Sequence, residues 1–262
     1  MLHYLIDLMM GKNEEGVNKS TPKKPKEKRG WTSYLKEFFM LFLAIFCGFL
    51  AENYRESLSA QKIEKEYMVS LMEDLKTDTT NLKSYISSMK ERSKIMDSLA
   101  VMMLSDERNQ FGNQIYFLAR QVFNEEPFIY SDGTIQQLKN AGNLRLIKKR
   151  NIVDELLKYE KKVRILEEWD QNESKTKSTF REMGGKVFNS NDLNATMDAT
   201  MKFVLPTTNP QLITDDFNTI NELAFQIHFI SKMSLGNSNR AESLRKSAKE
   251  LLSLVHEEYN LN

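Results

Sequence analysis

The most distinctive hydrophobic pattern in this chain is a run with no polar face. From Phe38 to Ala51 it reads FFMLFLAIFCGFLA, fourteen residues without a polar side chain. A helix in the core of a soluble protein keeps one polar stripe, and this run has none. Fourteen residues make only about 21 Å of helix, less than a bilayer's hydrocarbon core. The flanks extend it. Trp31 and Tyr34 precede the run and Tyr54 follows it, which suits interfacial aromatics, and Lys36 and Glu37 stand near the first boundary. Residues 31–54 would span about 36 Å and are predicted as a transmembrane helix. A cleavable signal peptide fits poorly, since Phe49 would take the −3 position of a cut after Ala51. A lipoprotein acylated at Cys47 would need a small residue where Phe46 stands.

Beyond the run, the pattern turns amphipathic. No Pro or Gly occurs from Glu52 to Leu104, and Leu75, Leu82, Met89, Met96 and Met103 recur every seven residues. Leu71, Tyr85 and Leu99 form a second row that Asp78 and Arg92 interrupt. Such a repeat predicts a seam buried against another helix, and the methionines favour adaptable packing. Two partners fit the seam: other helices of the same bundle, or a second copy in a homodimeric stalk.

A polar break at Ser105–Asn109 precedes a short apolar helix around 111–123, which Pro127 ends. Ser131 or Asp132 is placed to cap the next helix, with Ile135 and Leu138 inward. Gly142 and Asn143 supply its C-cap, since both tolerate the left-handed conformation, and Leu144, Leu146 and Ile147 pin the turn. A helix from about Asn151 to Arg181 should bury Val153, Leu156, Leu157, Val163, Leu166, Trp169 and Phe180. Residues 189–213, poor in charge and rich in Asn and Thr, read as a long loop. Two last helices, near 214–233 with Phe217 and Ile220 inward and near 239–259, are predicted on either side of Gly236. The expected fold is all-α: one N-terminal transmembrane helix continuing into a bundle of about four main helices over 55–262.

Charge sets the expected orientation. Residues 19–37 carry Lys19, Lys23, Lys24, Lys26, Lys28, Arg29 and Lys36, against Arg55, Lys62 and Lys65 in 52–71. The positive-inside rule puts the N-terminus in the cytoplasm and residues 55–262 outside, which is the periplasm if the membrane is a bacterial inner membrane. Residues 1–30, with Pro22 and Pro25 among the lysines, read as a disordered tail. Lys23, Lys24, Lys26, Lys28 and Arg29 are candidates for anionic lipid headgroups. The apolar start MLHYLIDLMM fits either an upstream start codon or a short amphipathic helix.

Composition removes other classes. The 262 residues hold 37 Lys and Arg against 36 Asp and Glu, so no global basic field points to nucleic acid. One cysteine excludes an internal disulfide, and three histidines leave little for catalysis or metal binding. Gly184-Gly185-Lys186 lacks the first glycine and the Ser/Thr of a phosphate loop and reads as a helix end. His228 reads as a core or boundary histidine, and His256-Glu257-Glu258 lacks the second histidine of a zinc helix. Asp215-Asp216 suits a helix start. Glu125-Glu126 and Asp170–Glu173 lack the spacing of a calcium loop. Lys148-Lys149-Arg150 opens a helix, where positive charge is unfavourable; it reads as a solvated turn or as a surface for an acidic partner or phosphate headgroup. No catalytic residue, cofactor or metal site is therefore expected.

Several of these residues stand together in a familiar order. They are Glu37, Gly48 and Asn53-Tyr54-Arg55-Glu56, then Leu71, Glu73, Asp74, Leu75, Asp78 and Leu82, then Leu138 and Gly142-Asn143-Leu144-Arg145-Leu146-Ile147. The array resembles an uncharacterised family, a domain of unknown function, of Gram-negative single-pass inner-membrane proteins. The resemblance runs from about residue 33 to the C-terminus and weakens after 190; Tyr54 stands where a Trp is frequent. It implies an anchored helical domain and transfers no catalytic residue. The expected function is a membrane-anchored interaction or scaffold module, homo-oligomeric or bound to an envelope partner, with a periplasmic ligand-sensing bundle as the alternative.

Overall fold

The computed structural model describes residues 30–124 and 126–261. It is all-α, with six α-helices and no strand among the described residues beyond one isolated bridge, Met197 to Phe203. The chain divides between Glu56 and Ser57 into two compact units. The proposed basic tail, including Lys23, Lys24, Lys26, Lys28 and Arg29, and the apolar start lie outside the described residues.

Helix α1 runs from Trp31 to Leu104, as the absence of helix breakers from Glu52 onward requires. Its part in the first unit holds a stretch long and apolar enough to cross a membrane, with none of that stretch buried by protein. Phe38, Phe42 and Phe46 stack along one side at 6.3 and 5.9 Å, the four-residue spacing that puts side chains on a common face.

In the second unit, α1 packs with α2 (Gly112–Gln121), α3 (Gly133–Asn140), α4 (Arg150–Gly184), α5 (Ser190–Asn194) and α6 (Phe217–Tyr259). Leu75, Leu82, Met89, Met96 and Met103 are all buried. The first three join Leu138 of α3, Leu156 and Val163 of α4, and Leu244 and Leu251 of α6 in one apolar cluster. Met96 and Met103 join Ile115 of α2, Phe180 of α4, and Leu223 and Ile227 of α6 in a second. The heptad is therefore an internal seam of one chain, and the homodimeric stalk has no seam left to use. Each such side chain, removed from water, contributes about 1.5–3 kcal/mol of transfer free energy.

The bundle has three long helices, α1, α4 and α6, rather than four. Gly236 lies inside the unbroken α6. A lone glycine costs a helix only about 1 kcal/mol, less than the packing of the buried residues on both sides, Ile230 to Ala241, supplies. Four residues expected inward are exposed: Leu157, Trp169, Phe217 and His228. Arg240 covers one face of Trp169 at 3.8 Å, and Phe217 stands one turn before packing begins at Ile220. The predicted loop holds α5 and the bridge, with Met201 at positive φ.

The turn after α3 is made by Gly142 alone, in the left-handed region at φ 65°. Asn143 is not left-handed; it opens a 3-10 turn, and its amide donates to the Tyr67 hydroxyl at 3.0 Å. Neither Ser131 nor Asp132 caps α3 with its side chain. A carboxylate of α1 does so instead: Asp74 accepts from the Thr134 amide at 3.0 Å, while Asp78 holds the segment before the helix by accepting from the Ser131 amide at 2.8 Å.

Candidate functional site

The second heptad row of α1, read from its buried beginning, is Glu64, Leu71, Asp78, Tyr85, Arg92 and Leu99, and all six are buried. Polar residues on a buried row need partners, because an unpaired buried charge is costly. Each polar member finds them at a different level of the bundle.

At the first level, Glu64 accepts from the Lys148 amide at 2.6 Å and the Tyr259 hydroxyl at 2.5 Å, tying the start of α4 and the end of α6 to α1. At the second, Asp78 is fully buried and accepts from the Tyr159 hydroxyl at 2.6 Å as well as from Ser131. Burial raises its pKa above the usual aspartate value, and these two donors offset only part of that rise.

The third level lies between the two apolar clusters and is the most heavily charged. Arg92, Glu173 and Lys177 are each at least 95% buried. Glu173 accepts from Arg92 Nη1 at 2.9 Å, Lys177 Nζ at 3.1 Å and Ser234 at 3.2 Å on one oxygen, and from Asn237 at 3.1 Å on the other. Arg92 Nη2 donates to the Asn124 carbonyl at 2.5 Å, holding the chain after α2 against α1. Beside them, Asp170 accepts from Tyr85 at 2.5 Å and Asn237 at 3.0 Å. Burial raises the Asp170 pKa, opposed by the Tyr85 hydrogen bond and reinforced by the charge of Glu173. Burial and the charge of Asp170 push the Tyr85 phenol well above its ordinary value, so it stays a donor. Across α6, Ser231 donates to Asp97 at 2.7 Å and lies 3.0 Å from the Ser93 hydroxyl.

This layer lines a cavity of about 70 Å³ with Tyr85, Met89, Arg92, Glu126, Pro127, Asp170, Glu173, Ser174 and Lys177. At a water's share of about 30 Å³ it has room for roughly two waters. Arg92 and Glu126 also line an open groove of about 360 Å³ with Ser84, Ser87, Ser88, Glu91, Ile95, Gln121 and Asn124. Cavity and groove together place a guanidinium, several carboxyls and several hydroxyls on one side of the bundle. That set can hold a small polar molecule by hydrogen bonds. No group of three His, Cys, Asp or Glu able to hold a metal occurs among the described residues.

The residues predicted from sequence fall elsewhere. Trp31, Tyr34, Lys36, Glu37 and Tyr54 are exposed at the two ends of the apolar run, and Cys47 is exposed within it. Gly184-Gly185-Lys186 is the end of α4. Asp216 is the N-cap of α6, accepting from the Thr219 amide at 3.0 Å, and Asp215 pairs with Arg108 at 3.5 Å. Gly142 and Asn143 shape the turn at the Glu64 level. Arg92, Lys177, Ser234 and Asn237 were not legible as a site. The available signal was the break in the second heptad row at Asp78 and Arg92, which marks the buried polar levels rather than defects in the seam.

Comparison of the chain with family models, with curated proteins and with solved structures gives no match.

Proposed function

We propose that this chain is a membrane-anchored helical interaction module of the bacterial envelope, without catalysis of its own. One span, residues 31–54, holds it in the inner membrane, and residues 55–262 stand in the periplasm. The observation that carries this reading is the uncovered apolar stretch of α1, which no protein surface buries. The lysine excess before the span supports the orientation. Self-association through Leu75, Leu82, Met89, Met96 and Met103 is no part of the reading, because those side chains are the chain's own core. A partner or second copy must use the outer surface.

The test is topology. In a Cys47→Ser background, Ser174→Cys, at an exposed position, is labelled in intact cells with a maleimide that crosses only the outer membrane. Labelling is the expected result. Protection that detergent relieves would put the bundle in the cytoplasm and overturn the reading.

A second reading, ligand sensing, is favoured by the groove that meets the buried Arg92–Glu173–Lys177 layer. A small polar ligand seated there would change the load on a layer that ties α1 to α4 and α6. Its mark would be a ligand-dependent rise in melting temperature that Ser88→Leu, on the groove wall, abolishes.

A further inference from the structure

A groove of about 430 Å³ lies between α1 and α6 and shares no lining residue with the cavity or groove at Arg92. Lys83 and Ile86 of α1 line it with Glu242, Arg245, Lys246 and Lys249 of α6. Ile86 is buried and supplies its one apolar side chain. Cations outnumber acids in this lining, and the acid is already taken: Glu242 pairs with Lys90 at 2.5 Å. Lys246 stands 3.8 Å from Glu250, both well exposed, a pair of little worth in water. Lys83, Arg245 and Lys249 make no ion pair among the described residues.

Arg245 is the informative member, because it is held in place. Its side chain is half-buried, and Nε donates to the Thr79 carbonyl of α1 at 3.1 Å. A guanidinium carries five donors in a rigid planar fork. The fold uses one, and the two terminal nitrogens donate to no protein group among the described residues. Tied at Nε, the guanidinium cannot swing away from Lys83 and Lys249, and like charges in one groove repel. A bridging anion converts that repulsion into charge-assisted hydrogen bonds.

The surroundings set the size and charge of such an anion. Toward the start of α6 the groove ends at the Lys90–Glu242 pair, and toward its end Glu250 and Glu257 stand beside Lys249. A long polyanion would meet those carboxylates; a compact one would not. The net charge of +1 adds no wider attraction, and the volume is that of a small-molecule site. A carboxylate brings one charge, whereas a phosphate concentrates nearly two on one group with three acceptor oxygens, a closer match to three unpaired cations.

We propose that the groove between α1 and α6 is a binding site for a small phosphate-bearing anion, with Arg245 presenting its terminal nitrogens and Lys83 and Lys249 supplying charge from the two helices. The site lies wholly within the second unit, so it depends neither on the membrane anchor nor on the groove at Arg92. Its occupant ties α1 to α6 and stabilises the bundle.

The experiment titrates the full chain, in uncharged detergent at constant ionic strength, with pyrophosphate by calorimetry, and follows the melting temperature in parallel. Pyrophosphate should bind one to one and raise the melting temperature. Arg245→Gln should weaken binding at least about tenfold, and so, independently, should Lys83→Gln/Lys249→Gln. Lys161→Gln, the same charge change at an exposed position of α4, should leave it unchanged. The two lysines are exposed, so their variant keeps its helical spectrum and decides the matter even if Arg245→Gln unfolds. No saturation up to about 10 mM pyrophosphate, where even a weak site fills, overturns the proposal. Equal weakening by Lys161→Gln overturns it in favour of diffuse charge, and native affinity in the lysine variant overturns the site. Citrate binding as tightly as pyrophosphate overturns the choice of phosphate.

Discussion

Replacing Arg92 by Met tests whether the mid-bundle layer holds the fold together. The Arg92 side chain is 6% exposed and its partner Glu173 3%, at 2.9 Å, so solvent screens the pair very little. Removing one partner of a buried pair costs about 3–5 kcal/mol, because the other charge stays buried. Lys177 remains beside Glu173 at 3.1 Å, which places the cost in the lower part of that range. The lost hydrogen bond to the Asn124 carbonyl adds about 1 kcal/mol, and Met fills most of the vacated volume, so little cavity cost arises. The expected destabilisation is about 3–4 kcal/mol. For a folded unit of roughly 200 residues each kcal/mol lowers Tm by about 2–4 °C, so thermal melts followed at 222 nm should shift by roughly 10 °C. Arg92→Lys keeps the charge but loses the second arm and should fall between. Glu173→Gln combined with Arg92→Met should be much less damaging than the sum of the two single changes, with a coupling of about 2 kcal/mol. A shift under 2 °C for Arg92→Met, or strict additivity in the cycle, would refute the view that these charges are coupled inside the bundle.

Gly142→Val should cost about 1–2 kcal/mol through its φ of 65° alone, since a side chain there meets no neighbour; an unchanged urea midpoint would show that the turn adapts. Gly236→Ala should change stability by less than about 1 kcal/mol: the new Cβ meets only the movable end of Arg240 at 2.8 Å, and the gain in helix propensity offsets the disturbed stacking on Trp169. A large loss there would argue for a real break in α6. Asp170 carries a folded-state pKa raised by burial above its ordinary 3.8. Its contribution to stability is therefore complete below about pH 4 and is lost as pH rises through the folded value. The native chain should gain stability relative to Asp170→Asn on going from pH 7 to pH 4, and urea midpoints running parallel over that range would contradict the assignment.

Local and periodic properties were legible in the sequence. The missing polar face of residues 38–51 separated them from the rest, and helix breakers were absent from Glu52 to Leu104 of α1. The seven-residue rows picked out the buried seam from Leu75 to Met103, and Gly142 marked a turn that needs a left-handed residue. These follow from steric rules and burial patterns acting within a few turns of chain. Tertiary structure decided what those rules leave degenerate. The seam could have served a bundle or a dimer equally well, and only the placement of α4 and α6 against it settled that. Gly236 has the propensity of a break, but packing on both sides outweighed it. Asp78 and Arg92 looked like flaws in a hydrophobic row because their partners, Tyr159, Ser131, Glu173 and Asn124, lie 32 to 81 residues away. A buried charge is acceptable only where such distant groups converge, and convergence is a property of the folded bundle that no window of sequence contains.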